Sequence, residues 1–131
     1  MKTIDQEYLH IPGKQHGDCW RACIASIIEC DINDLPYQGI DDWSRYYGDI
    51  LTAVESKGYN LISIGVNNMD DILFQSKATD GYIIAVGKSP RSTEDNRINH
   101  AVVWKNGIVH DPHPSREGIL DINSFDVFQK K

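Results

Sequence analysis

Apolar and polar positions follow two different rhythms along this chain. From Cys19, the stretch "CWRACIASII" is apolar or small on almost every side, with Ala22, Cys23, Ile24, Ala25, Ile27 and Ile28 leaving no polar stripe. A helix without a polar face is a buried helix. Residues 19–29 are therefore predicted to form a central helix, with Asp18 as its N-cap and Cys19 in its first turn. Further on, "DDWSRYYGDILTAVESKG" places Trp43, Tyr46, Tyr47, Ile50, Leu51 and Val54 at helical spacing along one face. Asp41 and Asp42 suit the start of this amphipathic helix, Lys57 and Gly58 suit its end, and its aromatic stripe is expected in the core.

After these helices the pattern turns to short apolar runs. Strands are predicted at 59–66 and 81–88, and another in "DINSFDVFQ" near the end; "NMDDILFQSK" reads as a short helix and "YLHIP" as an extended arm. The polar stretch 89–97 is a surface loop, and Asn106-Gly107 is a two-residue hairpin signal between apolar strands. Helices first and strands afterwards indicate one α+β domain over residues 1–131, its Cys-bearing helix packed on an antiparallel sheet.

The hairpin sorts the histidines. A two-residue turn pairs Lys105 with Ile108, Trp104 with Val109, Val103 with His110 and Val102 with Asp111. Side chains alternate along a strand, so His100, Val102, Trp104 and Asp111 share a face, and His100 and Asp111 become diagonal neighbours. His110 points to the other side.

Composition narrows the picture. The chain of 131 residues carries a formal net charge of −6, with 40% hydrophobic and 24% charged residues. That balance argues against nucleic-acid or anionic-membrane partners. No apolar run reaches the roughly 20 residues that span a bilayer. Charges in "MKTIDQEYLHIPGK" stand where a signal peptide is apolar, so a cytoplasmic protein is expected. Three cysteines within one segment, Cys19, Cys23 and Cys30, make a disulfide framework an unsuitable reading. Cys23 and Cys30 are expected to be structural.

A Cys at a helix start, with a His held by an Asp on adjacent strands, forms a nucleophile, base and orienter. The helix dipole favours a thiolate there, and such surroundings lower a thiol from about 8.5 to roughly 3.5–7.5. Gln15 can donate its amide to an oxyanion beside the Cys19 backbone N–H. "QHGDCWRACIASI" followed by "NHAVVWKNGIVHDPHPS" resembles the papain-like cysteine peptidase superfamily, nearest its bacteriocin-processing (C39-like) branch, and also small uncharacterised proteins of phages and bacteria. The resemblance implies a minimal papain-like fold with Cys19 as nucleophile, His100 as general base and acid, Asp111 as orienter and Gln15 as oxyanion donor. The pattern departs from that branch at Trp20, where Gly is usual, and in the Gln-to-Cys and His-to-Asp spacings.

The expected chemistry is hydrolysis of a peptide, protein or small amide through a thioester, without a cofactor. Trp20, and a rim containing His113, Ser115 and Arg116, are expected to contact substrate, with loops 31–40 and 88–98 setting its choice. Two other readings stand beside it. A non-catalytic binder of the same fold could sequester a ligand or a host protein. A zinc module could use His16, Cys19, His110 and His113, whose spacings occur in zinc sites. Against zinc, His110 points away from Asp111 and Pro112 stiffens the second pair.

Overall fold

In a computed structural model, which describes residues 1–37, 43–65 and 76–131, the chain forms two helices and a five-stranded antiparallel sheet. Helix α1 spans Cys19–Ile28 and α2 spans Trp43–Ser56. The strands are β1 (Tyr59–Gly65), β2 (Ile83–Lys88), β3 (Asn99–Trp104), β4 (Ile108–His110) and β5 (Ser124–Lys130). Their order across the sheet is β1-β5-β2-β3-β4. This is the expected α+β arrangement, with α1 packed on β3 and β2, and α2 on β1. No helix among the described residues is long and apolar enough to cross a membrane. The expected helix in "NMDDILFQSK" and the expected caps Asp41 and Asp42 lie outside the described residues, apart from a short 3-10 turn at Ser76–Thr79.

The sheet buries both faces, because alternate residues of its strands are apolar on each side. On one face Ala101, Val103, Ile84, Leu61 and Phe128 join Ala22, Cys23 and Ile24 of α1 and Ile50 and Val54 of α2. On the other, Val102, Ile83, Ala85, Phe125 and Val127 are covered by Ile119 and Ile122. The segment carrying those two isoleucines runs close along β2: Leu120 N–H donates to Lys88 O at 2.8 Å and Lys88 N–H donates to Asp121 Oδ1 at 2.7 Å.

Asp18 corrects one expectation. It precedes α1 but makes no side-chain cap. Its carboxylate instead accepts Tyr8 N–H at 2.8 Å and Arg21 Nη1 at 3.0 Å, with Asp18 only 1% exposed. Arg21 also donates to Leu35 O at 3.0 Å and to Glu7 at 2.9 Å. Breaking one side of such a buried pair strands a charge in the interior. The pair therefore ties the N-terminal arm to the start of α1, which sets where Cys19 sits. The arm extends the tie: Lys2 N–H donates to Ser26 O at 2.8 Å and Ile4 N–H to Ser26 Oγ at 3.0 Å.

The hairpin holds one surprise. Val103 pairs with His110 as expected, but Trp104 pairs with Ile108, so Val109 is an extra residue in a bulge. Asn106 and Gly107 both take positive φ, 57° and 135°, as the turn demands. Because the extra residue lies between the turn and Val103, the register beyond it is unaltered and Asp111 still arrives beside His100.

Gly87 sets a packing limit. A Cβ there would lie 1.8 Å from the Asp121 carbonyl oxygen, which is backbone and cannot rotate aside. Gly87→Ala is expected to destabilise the fold by at least the ~1–3 kcal/mol typical of overpacking, read as a lower urea midpoint. An unchanged midpoint would mean that the 119–123 segment does not press on β2.

Candidate functional site

Cys19 opens α1, where the first N–H groups of a helix have no intrahelical partners. His100 is the second residue of β3 and only 3% exposed. Its Nε2 lies 2.7 Å from Asp111 Oδ1, so the nitrogen left for the thiol is Nδ1. Asp111 itself follows β4 directly. Its Oδ1 also accepts His113 N–H at 2.9 Å, and its Oδ2 accepts Gly118 N–H at 2.7 Å. Gly118 has φ +76°, and a Cβ there would meet Ile108 Cδ1 at 3.0 Å, so the glycine is what lets its N–H reach the carboxylate.

The electrostatics follow from these contacts. Burial works against a charged His100, but hydrogen bonding to Asp111 and to the Cys19 thiol outweighs it and lifts the imidazole from 6.5 to about 9. Burial also opposes ionisation of Asp111, while the His100 hydrogen bond and the His113 and Gly118 N–H groups bring it from 3.8 down to about 2. The imidazolium–carboxylate pair is thus the favoured form at neutral pH. Burial pushes the Cys23 thiol far up, and Cys23 is fully buried in the core. Cys30 is half-buried, and burial raises its thiol as well.

Cys19 and His100 both line a cleft of about 840 Å³. Trp20 lies in its wall as expected, 8% exposed, with its ring stacked on Tyr47 at 5.4 Å and Nε1 donating to Asp126 at 2.9 Å. Burial raises the Asp126 carboxyl, opposed by hydrogen bonds from Ser63 and Trp20. His113 also lines the cleft, its ring edge-on to His100 at 6.1 Å.

Two expected site residues are placed elsewhere. The Gln15 amide donates to Leu9 O at 2.7 Å, and Gln15 is not part of the cleft wall. Residues 11–15 form a tight turn closed by an Ile11–Gln15 bridge, and that turn directs the amide back onto the arm. Gln6 lines the cleft instead, against Gly17, where a Cβ would come within 3.1 Å of Gln6 Nε2. Gln6 donates to Tyr8 O at 2.7 Å, and its Oε1 is buried without a partner. Arg116 faces away from the cleft: Nη2 reaches Asp5 Oδ2 at 2.8 Å and Nη1 bonds Asp5 Oδ1 and Asp111 O. It clamps the arm to the hairpin end.

The aromatic stripe of α2 also departs from expectation. Tyr46 is buried, but Trp43 is 57% exposed and Tyr47 half-buried, and all three line the cleft. The opposite wall comes from loop 89–98, whose Arg91, Asn96 and Arg97 carry no motif that the sequence would flag.

The zinc grouping does not assemble. His110 Nε2 contacts Ile4 O at 3.1 Å and Asp5 at 3.2 Å, whereas His16 stacks with His10 at 5.7 Å. Among the described residues no group of three His, Cys, Asp or Glu is placed to hold a metal ion.

Comparison with protein-family models, with curated proteins and with solved structures finds no match to this chain. The site therefore has to be interpreted from its own geometry.

The pair makes stability depend on pH in a defined direction. His100, raised to about 9, contributes fully below about pH 6.5, and that contribution is lost as pH rises through 9. Asp111, lowered to about 2, contributes fully above about pH 3.8 and loses that contribution as pH falls through 2. In urea titrations the stability difference between wild type and Asp111→Asn should be widest from about pH 4 to 6.5 and shrink on either side. A difference that stays constant from pH 4 to 9 would exclude this coupling.

Proposed function

We propose that the protein is a cysteine-dependent hydrolase of peptide or related amide bonds, with a papain-like arrangement of its site. The observation that carries this reading is the buried His100, held by Asp111 at 2.7 Å and lining the same open cleft as Cys19, whose thiol is among the groups that raise its imidazole. A structural histidine needs neither a thiol neighbour at a helix N-terminus nor access to a cavity.

In this mechanism the Cys19 sulfur, as thiolate, attacks the amide carbonyl carbon, and the carbonyl electrons move onto oxygen. The backbone N–H of Cys19 and the second amide N–H of Gln6 are the groups suited to that oxyanion: one Gln6 N–H is taken by Tyr8 O, but Gln6 lines the cleft and Gln15 does not. His100 passes its proton to the departing amine, leaving a thioester. Water then attacks the thioester with His100 as base; Cys19 departs as thiolate with His100 protonated, and the carboxylic acid product leaves and gives its proton to solvent. Asp111 holds the imidazole tautomer and orientation throughout. The substrates in view are peptides, proteins or small amides, met in the cytoplasm, with no nucleic acid or membrane as partner and no cofactor.

Iodoacetamide labelling read by mass spectrometry tests the activated thiol. At pH 7 the label should fall on Cys19, since Cys23 is buried and burial raises both other thiols. His100→Ala should slow it by at least about tenfold. A screen of peptide amides should then yield turnover that Cys19→Ser abolishes, and that Gln6→Ala lowers far more than Gln15→Ala. Equal labelling of wild type and His100→Ala would remove the basis for the proposal.

A further inference from the structure

The chain is acidic as a whole, yet its cleft is not. The charged side chains lining it are Arg91, Arg97 and Asp126, accompanied by His10, His16, His100 and His113. Asp126 is 7% exposed, and burial raises its carboxyl while Trp20 and Ser63 occupy it with hydrogen bonds. Arg97 is neutralised by Asp121, its Nη2 lying 3.3 Å from Oδ1, and its Nε is spent on Asn99 at 3.2 Å. Arg91 is different. No carboxylate among the described residues lies within ion-pair distance of it, and its Nη1 donates only to the Ser115 hydroxyl, at 3.0 Å.

The backbone keeps Arg91 in place. Its N–H donates to Ser89 Oγ at 3.1 Å, Ser89 is fully buried, and Ser89 N–H donates to Ile98 O at 2.8 Å. Across from it, Ser115 N–H donates to His113 Nδ1 at 3.0 Å. A neutral His113 therefore carries its proton on Nε2 and offers an N–H donor from a ring in the cleft wall. Burial, and next the charge of Arg91, keep His113 below its ordinary value, so neutral is its favoured form at pH 7. A half-buried guanidinium unpaired with any carboxylate among the described residues, linked through Ser115 to a neutral donor ring beside His100, is a set of donors suited to an anion.

We propose that Arg91 and His113 form a carboxylate-binding subsite beside the Cys19–His100 pair, so that the substrate carries a carboxylate a short span from the bond attacked. The carboxylate is that of an acidic side chain or of a peptide C-terminus; the chemistry is shared. The subsite rests on the hydrolase reading for its substrate, but its charge preference can be measured separately.

Three iodoacetyl dipeptides test it: iodoacetyl-Gly-Glu-amide, iodoacetyl-Gly-Gly with a free C-terminus, and neutral iodoacetyl-Gly-Gln-amide. In each, the Cys19 thiolate displaces iodide to form a thioether, and His100 keeps its proton. Second-order labelling rates are read by mass spectrometry and expressed as charged over neutral. Wild type should prefer one or both charged probes roughly tenfold, as a charged hydrogen bond on a part-exposed arginine allows. The arm that shows the preference identifies the carboxylate, and Arg91→Gln should bring the ratio close to one. A wild-type ratio near one, or a ratio that survives Arg91→Gln, overturns the subsite. If even the neutral probe labels Cys19 no faster than a free cysteine, the hydrolase reading fails while the ratio still decides the subsite.

Discussion

The carboxylate of Asp111 is the constraint on which the site depends. One oxygen holds the His100 ring and the His113 backbone, and the other holds the Gly118 backbone. One side chain thus orients the imidazole, shapes the turn that presents His113, and anchors the chain on its way to β5. A carboxylate with this many donors stays ionised, and it stays buried at little cost because each oxygen is satisfied. Removing it would leave two backbone N–H groups and an imidazole without their acceptor.

The thiol is placed by a second buried carboxylate, Asp18, working through Arg21 and the N-terminal arm. Both carboxylates therefore position backbone and neighbouring side chains, and neither is free to add negative charge to the cleft. That is how a chain of net charge −6 presents a cleft wall whose unneutralised charge is an arginine.

Much of this was legible in advance because it rests on local rules. Helical periodicity located α1 and α2, and the Asn106-Gly107 turn with strand alternation brought His100 to Asp111. Even the unforeseen bulge at Val109 left that meeting intact, since it falls on the turn side of Val103. What escaped has long-range causes. Gln15 and Gln6 are the same residue type near the same thiol, and only the turn at 11–15 decides which amide faces the cleft. Asp18 looked like a cap because its position was right, but tertiary contact with Tyr8 and Arg21 captured its side chain. Trp43 fitted the apolar stripe, yet it sits at the end of α2 that borders the cleft, so periodicity could not show that it faces solvent. Arg91 and Arg97 come from a polar loop whose path composition does not encode. The likeness to papain-like peptidases belongs with the proposed chemistry, as no compared protein carries it further.

The place of β5 has a consequence for how the molecule is assembled. This strand, latest in the sequence, lies between β1 and β2, and among the described residues β1 has no other partner in the sheet. Before β5 docks, the β2–β3–β4 meander with α1 and the β1 strand with α2 share no strand pairing and meet through contacts between the helices, such as Trp20 on Tyr47. The aromatic wall on α2 and the His100 wall on β3 then lack the common sheet that fixes their relation. Pairings so distant along the chain fold slowly, and until they close, the facing sides of β1 and β2 are open strand edges that invite association with other chains. A nascent or truncated chain lacking β5 would carry the thiol, the imidazole and the carboxylate without a cleft around them. Its characteristic fate would be aggregation rather than premature reactivity.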